Sequence, residues 1–411
     1  MTTNKLSTLI LGLFLYSFSV CSQSNTLSSS PYSLYGLGLL NTTNTGKTTS
    51  LGNTGIANSS RTFINNANPA SFAYVPLNTF FFDVGIKSTY GVQIDGGSQD
   101  SKINANFSNM AFAFPINSKS GLSLTLIPYT NVGYSLNTIE TDIEGTSNVF
   151  YSDIEGSGGL NDLKINYGYK LLDNLSLGLT SSLLFGQITE TETNYIANNT
   201  LSIYDANSYS GFRLGAGIQY SPFKNTTLGS IVNLPTRLSG EKDTTVSQIY
   251  DGDVYSNEDL DDFKLPLEIG FGVQTTYLDQ VTVALDYKKY FWSNTNQTDQ
   301  LGTFVDQNIF GLGVEFAPNI NKLKFWNTLQ YRAGFNYDSG NLEITGQKIN
   351  NYTLDVGLGI PLRYDGLSML NISYAYGTKG QVYNNLIQEH YHLLTLNISL
   401  AGRWFEKRKF N

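Results

Sequence analysis

Between Leu77 and Trp404 the side chains keep changing sides. In His392-Leu-Leu-Thr-Leu-Asn-Ile-Ser-Leu400, Leu394, Leu396, Ile398 and Leu400 fall on one face, and Thr395, Asn397 and Ser399 on the other. A period of two marks an extended strand, because successive side chains leave opposite faces of the backbone. The pattern recurs over 78–93, 103–116, 121–136, 158–171, 174–193, 207–221, 224–238, 264–277, 280–294, 303–317, 325–338, 349–362, 366–379 and 390–404. Short connections (Asn117–Ser120, Leu172–Asp173, Pro222–Phe223, Leu278–Asp279, Pro318–Lys324, Arg363–Asp365) take turns with long ones (94–102, 137–157, 194–206, 239–263, 295–302, 339–348, 380–389). Such segments, oily on one face and small or polar on the other, predict an all-β chain, a transmembrane antiparallel β-barrel of about fourteen strands. An even strand number returns both ends of residues 78–405 to the short-turn side.

The alternation assigns faces. Leu175, Leu177, Leu179, Phe185, Phe212, Leu214, Ile218, Leu265, Leu267, Ile269, Phe271, Tyr352, Leu354, Val356 and Leu358 should meet lipid. Ser176, Gly178, Thr180, Arg213, Gly215, Gly217, Gln219, Glu268, Asp286, Arg332 and Asp355 should point inward, which keeps charge out of hydrocarbon. Lys289 falls on the lipid face and predicts an outer-rim position or a bulge. Tyr129, Tyr134, Tyr169, Tyr290, Trp292, Trp326, Tyr376 and Trp404 gather near strand ends, as interfacial aromatic belts do. Charged residues make up only 14% of the chain, against about a quarter in soluble proteins. No apolar run after the N-terminus is long enough for a membrane helix. A soluble sandwich would leave too much oily face in water. The formal charge of −8 argues against nucleic acid as a partner.

The N-terminus reads as a signal peptide over residues 1–22: Lys5, an apolar stretch Leu6–Val20, and a cut before Gln23. Phe18-Ser-Val20 is too bulky to make Cys21 a lipoprotein site, and a mature chain beginning at Gln23 has no cysteine and no disulfide framework. Residues 23–77 lack alternation and predict a segment that plugs the barrel or hangs in the periplasm. Residues 406–411 form a basic periplasmic tail beyond the anchors Trp404 and Phe405. No catalytic set, cofactor site or metal site is evident. His390 and His392 share a face with no third ligand, and Gly215-Ala-Gly217 and Gly311-Leu-Gly313 lie within strands rather than at a strand-to-helix turn.

At Ser50-Leu-Gly-Asn-Thr-Gly-Ile-Ala57 and Asn65-Asn-Ala-Asn-Pro-Ala70, just before the first strand, the sequence resembles the FadL-type long-chain fatty acid transporter family of the bacterial outer membrane. Gly52, Gly55 and Ala57 match its Gly-x-x-Gly-x-Ala opening, and Asn68, Pro69 and Ala70 its Asn-Pro-Ala motif. The resemblance implies a fourteen-stranded barrel holding a plug, or hatch. It implies passive uptake of a hydrophobic, fatty-acid-like molecule and lateral release through a kinked wall strand. The matching kink is Pro128-Tyr129, since proline cannot donate a ladder hydrogen bond; Pro235 is a second candidate, nearer the outer edge. Expected partners are membrane lipids, lipopolysaccharide and the hydrophobic ligand. The family also contains PorV-like subunits that serve larger outer-membrane machines, so a non-transporting scaffold role in secretion or barrel assembly is the alternative. The acidic stretch 239–263, with Glu241, Asp243, Asp251, Asp253, Glu258, Asp259, Asp261 and Asp262 against Lys242, departs from the oily substrate-collecting loops of fatty acid transporters.

Overall fold

The computed structural model describes residues 30–403 apart from 144, 146–148, 197–198, 249–251, 298–301, 319–323, 364–365 and 384–385. The expected signal peptide and the basic tail, with Trp404, lie outside the described residues. Fourteen wall strands follow one another around a barrel. They are β1 Thr79–Asp95, β2 Ser98–Asn117, β3 Ser120–Pro128 with Thr130–Asp142, β4 Val149–Leu172 and β5 Leu175–Ile196. Next come β6 Asn199–Phe223, β7 Thr226–Asn233 with Thr236–Gln248, and β8 Gly252–Leu265 with Glu268–Tyr277. The circuit ends with β9 Val281–Tyr290, β10 Gln307–Phe316, β11 Gln330–Asp338, β12 Asn351–Pro361, β13 Met369–Lys379 and β14 Gln388–Arg403. Every neighbouring pair is antiparallel, and β14 closes on β1 from Thr79↔Arg403 to Ile94↔Gln388. Closure removes the unpaired edge that hydrocarbon would not tolerate.

The inward and outward faces follow the period-two reading. On β5, Leu177 and Leu179 are exposed while Ser176 and Thr180 are buried; on β12, Leu354 and Val356 face out and Asp355 faces in. Leu265 is a correction: it is only 1% exposed and sits in an interior apolar cluster. The cause is Pro266. It falls between the two halves of β8, so the residue count across the break shifts the parity of everything above it. Two expected belt aromatics, Tyr134 and Trp292, are also buried inside, whereas Tyr169, Trp326 and Tyr376 are exposed. Lys289 ends β9 beside Asp306, its Nζ 3.3 Å from the carboxylate. Burial alone would raise the Asp306 carboxyl, but hydrogen bonds from Ser293 and the Lys289 charge outweigh it and hold the group below its ordinary range.

The segments 94–102, 137–157, 194–206 and 239–263, expected as loops, are largely paired strand. β4, β5 and β6 run for 24, 22 and 25 residues, whereas about 9–11 tilted residues cross a bilayer. The excess forms hairpins that project beyond the membrane on the long-connection side, which in such barrels faces outward. Polar residues with alternating small side chains sustain these ladders, so composition alone disguised them as loops.

The wall is interrupted at two heights. β3 pairs β2 only from Asn117↔Ser120 to Met110↔Leu126. After Pro128 its second half stays on β4, from Val132↔Gly158 to Asp142↔Val149. It leaves β2, and on that side Asn131 and Thr130 pair with Leu39 and Leu40 of the N-terminal segment. Thr130, Asn131, Val132, Gly133 and Tyr134 are all buried, so both faces of this stretch lie inside the protein. β4 makes room with Gly158 and Gly159 at φ of 113° and 146°; a Cβ on Gly159 would sit 2.3 Å from the Thr130 carbonyl oxygen. The second interruption spans β7 at Leu234-Pro235 and β8 at Pro266-Leu267. There Arg213 on β6 donates to the Leu234 carbonyl (3.0 Å) and the Pro266 carbonyl (2.8 Å), replacing lost ladder partners.

Candidate functional site

The residues singled out before the first strand come together along the inner wall. Pro69–Tyr74 form a short 3-10 turn. Pro69 starts it, where a missing N–H costs nothing. Asn68 caps it: Oδ1 accepts from the Ala70 N–H at 3.0 Å, while Nδ2 donates to the Ile56 carbonyl at 2.8 Å and the Ile218 carbonyl of β6 at 3.1 Å. One amide thus joins the two motifs and the wall. Gly55 packs against Ala67, Ala57 is buried, and Gly52 has φ of +60°. A side chain on Gly52 would also lie 2.3 Å from the Phe335 carbonyl oxygen of β11, so both conformation and space require glycine.

Polar groups predicted to face inward hold this segment. The Asp286 carboxylate of β9 accepts from the backbone N–H of Gly55 (2.7 Å) and Ile56 (2.9 Å). Gln219 of β6 donates to the carbonyls of Ile56 (3.0 Å) and Asn58 (2.8 Å). Replacing Gln219 by leucine is expected to cost about 1–3 kcal/mol, because two buried carbonyls lose a donor; thermal unfolding in detergent measures it. Lys47 reaches Glu315 of β10 at 2.6 Å, and the same carboxylate meets Arg332 of β11 at 2.8 Å. The inward positions of Asp286, Gln219 and Arg332 follow from the alternation, but their partners do not, and neither do the roles of Lys47 and Glu315. The parity of Glu315 between outward Val314 and Phe316 was the available signal.

Apolar side chains close the two ends of this arrangement. Ile64, Phe72 and Val75 pack on Phe81, Ala111 and Ala113 toward the short-turn end. Toward the hairpins, Leu37 joins Val132, Leu160, Leu184, Leu238, Phe263, Leu265, Trp292 and Phe304, and the partly buried Tyr129 packs against them. Trp292 and Phe304 stack with centroids 5.1 Å apart. Between lies a cavity of about 340 Å³ lined by both kinds of group, among them Leu39, Asn41, Lys87, Pro128, Asn131, Tyr290, Phe304 and Tyr391. Pro128 therefore marks a break in the wall ladder and also a wall of the cavity. Tyr129 bonds across it: its N–H donates to the Leu160 carbonyl (2.7 Å) and its carbonyl accepts from the Asn41 N–H (2.9 Å).

Elsewhere, His390 and His392 share the outward face of β14 as expected. Their Nδ1 atoms meet the hydroxyls of Tyr376 (3.1 Å) and Tyr374 (2.6 Å). Among the described residues no group of three metal-binding side chains occurs.

No curated protein matches the sequence. Solved structures do. The Pseudomonas putida toluene transporter TodX is similar with a TM-score of 0.66 at 14% identity, over 89% of this chain and 100% of that one. The Ralstonia pickettii toluene transporter TbuX gives 0.63 at 14% identity, over 89% and 99%. A Pseudomonas aeruginosa FadL homologue gives 0.57 at 13% identity, over 90% and 100%. The shared feature is the fold, a closed antiparallel barrel of fourteen strands. In sequence, the family model BamG matches residues 4–411, nearly the whole length, and the chain belongs to the BamG family.

Proposed function

We propose that this outer-membrane barrel is a passive channel for small hydrophobic compounds, with the N-terminal segment as its plug and the gap beside Pro128 as a lateral exit. The observation that carries the reading is the ladder break: β2 keeps only β1 as a partner above Met110, while β3 turns inward beside the cavity. An uninterrupted wall would serve a barrel with no lateral traffic better, since every broken ladder bond in hydrocarbon has to be compensated. The transport named for TodX and TbuX agrees with this assignment. The test is to close the gap. With Asn106 and Asn131 both replaced by cysteine and joined by a short thiol cross-linker, toluene uptake into vesicles is expected to fall to the level of empty vesicles, and unlinked protein to retain it. Undiminished uptake with the linker in place would refute lateral exit; no uptake by the unlinked protein would refute the channel.

The projecting hairpins favour a second reading, a subunit of a larger outer-membrane machine. The outer halves of β7 and β8 pair from Thr236↔Leu265 to Gln248↔Gly252 and present Glu241, Asp243, Asp253, Glu258, Asp259, Asp261 and Asp262 to solvent. Such an acidic surface repels anionic ligands and suits a basic protein face or cation-bridged lipopolysaccharide. Purification in mild detergent separates the readings, because a scaffold is expected to carry a stoichiometric partner.

A further inference from the structure

Where β2 and β3 part, the missing ladder is replaced by side chains. Lys87 of β1 stands opposite Asn106 of β2. Its Nζ donates to Asn41 Oδ1 at 2.6 Å, and that oxygen also accepts from Asn131 Nδ2 at 2.9 Å. Asn131 Oδ1 in turn accepts from Asn106 Nδ2 at 3.3 Å, the contact that crosses from β2 to β3. Hydrogen-bond supply and demand do not balance here. The ammonium has three N–H groups and each amide two, yet the Asn41 Nδ2 is buried with no partner. Lys47, Lys164, Arg213 and Arg332 all sit beside carboxylates, whereas among the described residues no carboxylate pairs with Lys87. Lys87, Asn41 and Asn131 line the cavity that reaches Pro128.

We infer that Lys87, Asn41, Asn106 and Asn131 form a binding site for the phosphate head of a membrane lipid that enters through the gap beside Pro128. A cation without a counter-charge on the wall of the cavity, held there by the Asn41 and Asn131 amides, is complementary to an oxyanion, and charge-assisted hydrogen bonds are the strong ones. The route follows from what closes the other approaches. From outside, the apolar cluster around Leu37, Phe263, Trp292 and Phe304 seals the lumen, and the acidic hairpins repel anions. From the membrane, a lipid needs only to place its head through the wall while its chains stay in hydrocarbon. The inference rests on the reading of the gap as a portal and adds what it selects: an anionic head rather than a bare hydrocarbon.

The test uses the full barrel, purified in nonionic detergent and exchanged into vesicles holding dioleoyl phosphatidylglycerol and dioleoylglycerol in equal amounts, followed by native mass spectrometry of bound lipid. Retention of the phospholipid over the neutral lipid by about tenfold is expected, the worth of one charge-assisted hydrogen bond. Lys87→Met should bring the two to parity, and Lys87→Arg should preserve the preference. Heat-modifiable gel mobility reports whether each variant is folded, and Asn41→Ala, expected to weaken the preference several-fold, stands in if Lys87→Met is not. Equal retention by the wild type, or a preference that survives Lys87→Met, overturns the site while leaving a hydrocarbon channel intact. Retention of neither lipid together with no toluene uptake overturns the portal itself. An equimolar oleate challenge that displaces the phospholipid overturns the leaflet-lipid source and assigns the same oxyanion site to a free carboxylate.

Discussion

Gly178→Leu is expected to detach the N-terminal segment from the wall. A Cβ at this inward position of β5 would lie 2.2 Å from the Ala70 nitrogen and 2.3 Å from the Pro69 carbonyl carbon. Both are backbone atoms of a capped turn, so no side chain can rotate away. β5 cannot retreat either, because β4 and β6 pair with it along almost its whole length. Overpacking typically costs about 1–3 kcal/mol when side chains can adjust; against fixed backbone on both sides the whole of that falls on the docking of the segment. The expected readouts are trypsin cleavage at Lys47, which the docked segment holds against Glu315, and a marked rise in ion conductance. Leu179→Ala, one residue away on the lipid face, removes an exposed side chain and should change neither. A Gly178→Leu barrel with wild-type conductance and trypsin resistance would contradict the docking described above.

That glycine illustrates what could be read before any coordinates. Alternation places Gly178 inward between Leu177 and Leu179, and the same argument correctly turns Leu354 and Val356 outward. The fourteen segments and the short turns follow because hydrocarbon on one side and a polar lumen on the other impose the same period on every strand. The reading fails where that constraint lapses. Beyond the bilayer both faces of β4 to β8 are wet, so their outer stretches, such as 194–206 and 239–263, show little contrast and pass for loops. At Pro266-Leu267 the break between two half-strands reverses the parity, and Leu265 is assigned to the wrong face. Trp292 and Tyr134 have interfacial composition, yet the inward bend after Pro128 and the cluster around Leu37 bury them. The motif residues Gly52, Gly55, Ala57, Asn68, Pro69 and Ala70 could be named from the sequence, but their partners Asp286 and Gln219 lie more than 140 positions away, and no local pattern links them. Lys47 and Glu315 are the same case: an ion pair between an irregular segment and a strand leaves no periodic trace.

Glu315→Ala is the substitution with the largest expected loss of stability. Its Oε1 accepts from Lys47 and its Oε2 from Arg332, whose side chain is 0% exposed. Arg332 also donates to Asn371 (2.8 Å) and Gln330 (2.6 Å), so it cannot swing toward water without abandoning both. Removing the carboxylate leaves a desolvated guanidinium without its counter-charge, which costs about 3–5 kcal/mol. Glu315→Gln keeps a hydrogen-bond acceptor and loses the charge, so a smaller loss of about 1–3 kcal/mol is expected. Lys47→Met should be milder still, because its side chain is 19% exposed and the Glu315–Arg332 pair survives. Thermal unfolding followed by heat-modifiable mobility ranks the three, and equal losses for Glu315→Ala and Lys47→Met would contradict the assignment of Arg332 as the stranded charge. The decisive variant removes both ends. If the cost comes from an orphaned cation rather than from attraction within the pair, Glu315→Leu combined with Arg332→Met should recover most of what Glu315→Ala loses. It should still loosen the N-terminal segment, since Lys47 then has no carboxylate to reach. Stability and docking would part company in that protein, which makes Glu315 both a neutraliser of the wall and the anchor of the segment inside it.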